Sequence, residues 1–152
     1  MTNLRSTLVT ALLLIGIAGR PAFGVDTIQA SDAPDLTTVR AKVKAKDWNA
    51  AVTELNGMID KGVQHADVYN LLGFSLRNQG DTTTAQTFYQ KALEFDPDHK
   101  GALEYQGELY VKLGDFPKAQ ANLAKLVRLC PQGCEEREDL EQAIKTRTVK
   151  VR

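Results

Sequence analysis

Two cysteines, two histidines and one tryptophan are all that 152 residues hold of those types. So little ligating material makes a dedicated metal centre a poor expectation. The chain has no Gly-Lys-Ser/Thr loop to cradle a phosphate, no zinc-binding pair of histidines and no nucleophile–base set. Nothing therefore points to catalysis, and no cofactor or metal is expected. Neither charge is in excess: 19 basic residues face 19 acidic ones, which argues against a general basic field for nucleic acid. Apolar content of 43% and charged content of 25% are ordinary for one soluble globular domain.

Long hydrophobic runs are missing as well. The apolar stretch at 7–19, TLVTALLLIGIAG, has thirteen residues, short of the roughly 20 a spanning helix needs. One arginine and no acid precede it, Arg20-Pro21 breaks it, and Ala22-Phe23-Gly24 supplies small residues where a signal peptidase reads. This layout predicts a secretory signal peptide over 1–24, a flexible leader over 25–33 and a periplasmic or secreted protein. Membrane contact is expected only through an uncleaved signal segment. No cysteine follows the apolar run, which rules out a lipid-modified start. Loss of Arg5 and Arg20 leaves 17 basic against 19 acidic residues, a net charge of −2.

What the chain does have is repetition. YNLLGFSLRNQGDTTTAQTFYQKALEFDP, at 69–97, aligns with LEYQGELYVKLGDFPKAQANLAKLVRLCP, at 103–131, at an offset of 34 residues. Gly73 falls on Gly107, Gly80-Asp81 on Gly114-Asp115, Ala85 on Ala119, Lys91 on Lys125 and Pro97 on Pro131. A 34-residue period with these landmarks resembles the tetratricopeptide repeat, a helix–turn–helix unit. The resemblance implies an all-α fold, a right-handed superhelical stack of such units. It also implies a scaffold holding protein or peptide segments in a groove lined by each unit's first helix. A small exported bacterial member of that family is the expectation.

The same residues follow from elementary physics. Tyr69, Leu72 and Leu76 lie at helical spacing, as do Ala85, Phe88, Ala92 and Leu93 in the next segment. Gly73 with Ala85, and Gly107 with Ala119, are small where paired helices come closest. Gly80 and Gly114 suit the left-handed turn that ends a helix, Asp81 and Asp115 suit the N-cap of the next, and Pro97 and Pro131 stop it. One period further back, Asp47, Ala51, Leu55 and Met58 mark the second helix of an earlier unit. Its first helix, with Leu36, Val39 and Val43 as the apolar stripe, lacks the small-residue landmark. At the far end Leu140, Ala143 and Ile144 share one face of a charged helix, and such a solubilising cap closes a stack. Seven helices are predicted within a domain at 34–147: a degenerate repeat at 34–65, repeats at 66–99 and 100–133, a capping helix at 134–147, and a tail at 148–152.

Removing the predicted core leaves groove candidates: Asn70, Phe74, Arg77 and Asn78 with Asp67 in the central unit, and Glu104, Glu108 and Lys112 with Val111 in the next. Arg40 and Lys44 continue the surface in the first unit, making the groove basic at its N-terminal side and acidic at its C-terminal side. Phe74 reads as an exposed aromatic anchor, or else as a residue packed on the adjacent repeat. Chaperone-binding members of the family clamp a carboxylate with a Lys/Asn/Arg set, and this groove carries Glu104 and Glu108 in its place. His65 and His99, in the loops between units, read as polar turn residues. Cys130 and Cys134, in LCPQGCEE, fit a disulfide staple at the corner before the cap. They also fit a thiol redox or copper-handling pair, since soft thiolates select Cu(I). An oxidising compartment and the want of a third ligand favour the staple. The basic tail TRTVKVR reads as a frayed, solvated terminus.

Overall fold

The apolar stripes become seven α-helices in a computed structural model that describes residues 32–149. They are α1 (Thr37–Lys44), α2 (Trp48–Asp60), α3 (Ala66–Gln79), α4 (Thr82–Phe95), α5 (Lys100–Leu113), α6 (Phe116–Leu129) and α7 (Glu135–Thr146). No strand occurs among the described residues. The signal segment at 1–24, most of the leader at 25–33 and the last three residues of the tail lie outside them.

One turn is used three times. Asp47, Asp81 and Asp115 each send their backbone N–H back to the carbonyl five residues earlier, on Lys42, Leu76 and Tyr110. That bond, with the preceding residue in the left-handed region, is the Schellman ending of a helix. Each aspartate then caps the next helix, its carboxylate accepting from the N–H of Ala50, Thr84 or Lys118 at 3.1, 3.0 and 3.3 Å. Gly80 (φ 95°) and Gly114 (φ 78°) take the left-handed position without a steric penalty. In the first unit the equivalent residue is Lys46, at φ 58°. The degenerate repeat thus keeps the turn but not the residue that makes it easy.

Helices pair as hairpins α1/α2, α3/α4 and α5/α6, and each second helix packs on the first helix of the following unit. α7 lies against both α5 and α6, as a cap should. The core is continuous along the stack. Val39, Leu55, Val68 and Leu72 join the first unit to the second, Phe74, Tyr89 and Leu109 join the second to the third, and Leu103, Leu126 and Leu140 reach the cap. Each such side chain contributes about 1.5–3 kcal/mol on full burial. The central first helices are enclosed: α3 buries ten of its fourteen residues and α5 eight, whereas α4 buries three and α6 two. The expected close approach at Gly73 is present, where an added Cβ would lie 2.9 Å from Tyr89 and 3.1 Å from the Ala85 carbonyl. At Gly107 the nearest group is not Ala119 but Leu140 of the cap, 2.5 Å from the position a Cβ would take. The last repeat uses its glycine to seat α7.

Candidate functional site

Wherever first helices stand side by side, residues that turn away from the core can share a surface. A cleft of about 250 Å³ forms there, and every residue lining it belongs to α1, α3, α5, α7 or the turn before α5. Its floor is Asn70 and Leu71 of α3 with Tyr105 of α5. Arg40 of α1 stands at one side and Glu135 and Glu136 of α7 at the other, with Asp67, His99 and Glu104 between. Of the residues on which the expected basic-to-acidic gradient rested, Arg40 and Glu104 line this cleft, and Lys44 and Glu108 do not.

Asp67 is the electrostatic hub. Its Oδ1 lies 3.1 Å from His99 Nε2 and 3.7 Å from Arg40 Nη2. His99 Nδ1 accepts the N–H of Ala102 at 3.0 Å, so Nε2 carries the proton and donates to Asp67. That hydrogen bond holds the Asp67 carboxyl below the ordinary aspartate range against the opposing effect of burial, and Arg40 adds to it. His65 caps α3 in the same manner, Nδ1 accepting from the Asp67 N–H at 3.2 Å. The two histidines are therefore turn residues, as expected, and they are also the N-caps of α3 and α5. The sequence reading did not foresee that capping role, because histidine is not among the usual N-cap residues.

Asn70 sits beside this hub. It is 5% exposed, and its Oδ1 is buried without a hydrogen-bond partner. Gly101 makes room for it: a Cβ there would come within 3.2 Å of Asn70 Nδ2.

Four expected groove residues are corrected. Phe74 is 5% exposed and packs on Trp48 and Tyr105, with ring centroids at 5.8 and 4.8 Å. Of the two readings offered for it, packing on the adjacent repeat is the one observed. Arg77 and Glu108 form a buried ion pair, Nη1 to Oε2 at 2.8 Å, and the guanidinium lies over the Phe74 and Tyr105 rings at 5.5 and 5.4 Å. The physical reason is the enclosure of α3: positions off its own stripe face the next repeat rather than water. Val111 is likewise buried. Asn78 donates to the Phe74 carbonyl at 2.8 Å and Lys112 is exposed near the end of α5, so neither lines the cleft. Asn70 and Glu104 do, as do Asp67 and Arg40. Tyr105, Gly101, Glu135 and Glu136 were missed. The signal for the buried pair lay in the period: Glu108 occupies the position equivalent to Phe74, one helical turn from Arg77 in repeat register.

Cys130 and Cys134 are joined in a disulfide with their Cα atoms 6.0 Å apart, inside the range such a bond requires. Cys130 ends α6, Gly133 takes the left-handed turn at φ 101°, and Cys134 is the N-cap position of α7. Arg137 fastens the same corner, donating to the carbonyls of Cys130 and Pro131 at 3.3 and 3.2 Å. Among the described residues no group of three or more His, Cys, Asp or Glu is arranged to hold a metal.

Comparison with known proteins agrees with this geometry. Residues 66–99, which contain α3 and α4, match the tetratricopeptide repeat. Residues 88–121 match a second description of the same repeat, framed from within α4 into α6. The chain is also 32% identical over 72 residues to an uncharacterized protein, ycf37, of Pyropia yezoensis. That alignment covers 47% of this chain and 40% of the relative, so the chain spans less than half the length of the curated protein it matches. The 34-residue period, the repeated Gly-Asp turn and the matched segments make this chain a tetratricopeptide repeat protein.

Proposed function

We propose that the protein is a non-catalytic, exported scaffold whose cleft holds a segment of a partner protein, within a complex of the cell envelope. Tetratricopeptide repeats generally mediate protein–protein interaction. The observation that carries the reading is the cleft itself, since its walls come from the first helices of successive units and from the cap, and its lining is polar and charged. Stacked repeats offer an extended surface of this sort to a peptide chain. Export rests on the charge-free run at 7–19 followed by small residues up to Gly24. The disulfide is in keeping with an oxidising compartment.

Affinity capture from an envelope fraction tests the reading. The wild-type chain is expected to retain a defined partner, and a variant with Arg40→Glu, Glu135→Gln and Glu136→Gln is expected to lose it. Those three side chains line the cleft without belonging to the buried core. An unchanged partner set in that variant would remove the cleft from the function. Recovery of the chain in the cytosolic fraction with its first 24 residues attached would refute export.

A further inference from the structure

Five of the seven helices start on a side chain that closes their first turn. Asp47, His65, Asp81, His99 and Asp115 each accept a backbone N–H of the helix they precede. α7 starts differently: Cys134 stands at its N-cap position and makes no side-chain hydrogen bond to the first turn. That turn is held instead by the bond to Cys130 and by Arg137, which reaches back to the carbonyls of Cys130 and Pro131. The residues that α7 gives to the cleft are Glu135 and Glu136, the two that follow Cys134. The buried residues of α7, Leu140 and Ala143, lie farther along it. One wall of the cleft is therefore fastened by a covalent bond at the end of the helix where core packing does not reach. The bond is also open to a reagent, since both cysteines are partly exposed and Pro131 and Gln132 between them are exposed.

We propose that the Cys130–Cys134 pair is a redox switch for the cleft, which is complete in the disulfide state and loses its α7 wall in the dithiol state. This rests on the reading of the cleft as a segment-binding site. The reductant is a dithiol, of the class that proteins carry as a Cys-x-x-Cys pair. Its thiolate bonds to one cysteine sulfur, and the S–S bond breaks with its electron pair left on the other. The reductant's second thiol then displaces the first cysteine. Cys130 and Cys134 each end with a proton, and the reductant ends as a disulfide. The first turn of α7 is then left with neither tether nor side-chain cap, and an uncapped helix start frays. Glu135 and Glu136 leave the cleft with it. Exchange with a protein disulfide restores the bond and the wall.

The test compares three forms of the full mature chain: oxidised, reduced with dithiothreitol and freed of it without air, and Cys130→Ala/Cys134→Ala. The Glu138 amide, which closes the first turn on the Cys134 carbonyl at 3.0 Å, reports on the wall by hydrogen exchange. It should exchange about thirtyfold faster in the second and third forms than in the first, the factor that corresponds to the constraint of so short a loop. Amides of α3 and α4 should keep their protection. Retention of the protein that the oxidised form captures from an envelope fraction should fall about tenfold in both open forms, as the competent fraction falls. A bond that resists dithiothreitol while the chain is folded overturns the switch, and so does unchanged exchange at Glu138 or equal loss of protection in α3 and α4. Equal retention by all three forms overturns the switch and leaves the segment-binding reading intact. Loss confined to the reduced form, with the alanine variant binding as the oxidised chain does, overturns the switch too. Failure of the oxidised form to retain any protein overturns both.

Discussion

Arg77 shows how a single residue can be read correctly in chemistry and wrongly in place. It is charged, lies off the apolar stripe of α3 and would be solvent-facing on an isolated helix. In the stack it lies over two neighbouring aromatic rings and is paired with Glu108, which is fully buried. Removing one member of a buried pair leaves the other charge uncompensated, at about 3–5 kcal/mol. Arg77→Met should therefore lower stability by that order. Arg77→Met/Glu108→Leu should recover most of the loss, which chemical denaturation of the four proteins in the cycle will show. Full additivity would mean that the two side chains do not interact. Asp67 permits a pH test. Its folded carboxyl is held below the ordinary value of 3.8, so its contribution is complete above that value and is lost as pH falls through the lowered one. The stability difference between wild type and Asp67→Asn should be constant at neutral and mildly acidic pH and shrink only below about pH 4. A difference that already fades near neutrality would place the effect on another group.

At the scale of the element, the recurring unit is less the helix than the turn between helices. Lys46-Asp47, Gly80-Asp81 and Gly114-Asp115 perform the same two operations, ending one helix in the left-handed region and capping the next. A side chain in that conformation costs about 1–2 kcal/mol for any residue with a Cβ outside the Asn/Asp exceptions. Gly80→Ala should thus destabilise by about 1 kcal/mol, although open space surrounds the position. Lys46→Gly should be neutral or mildly stabilising, because relief of strain offsets the freer unfolded chain. Thermal unfolding of the two variants checks both, and a destabilising Lys46→Gly would contradict the account. These turns were legible in the sequence because glycine and aspartate have local reasons to be there. So were the apolar stripes and the number of helices. The inter-repeat pairings were not, since Arg77–Glu108, Asp67–His99 and the Phe74–Tyr105 contact depend on how far one unit is rotated on the next. Periodicity along a helix tells which residues are off its own stripe. It does not tell whether that side meets water or a neighbour.

The whole molecule is a stack with unlike ends. At the N-terminal end α1 is short, at eight residues, and carries one buried residue. At the C-terminal end α7 is seated by Leu140 over Gly107, by the disulfide and by Arg137. Its acidic first turn faces both its own helix dipole and the cleft, so one set of charges serves cap and site. A loop as short as that between Cys130 and Cys134 constrains the unfolded chain by about 2 kcal/mol. Cys130→Ser/Cys134→Ser should lose about that much stability while leaving α3 and α4 folded, and hydrogen exchange should show α7 opening first. Equal protection of α7 with and without the bond would mean that packing alone holds the cap. The central claim is that a partner segment lies in the cleft between first helices. The most direct measurement places a photoreactive amino acid at Arg40, in the cleft, and separately at Gln90, on the exposed side of α4, and irradiates cells producing each. The account predicts a discrete protein adduct from position 40 and none from position 90. Adducts of equal yield from both positions, or from position 90 alone, would contradict it.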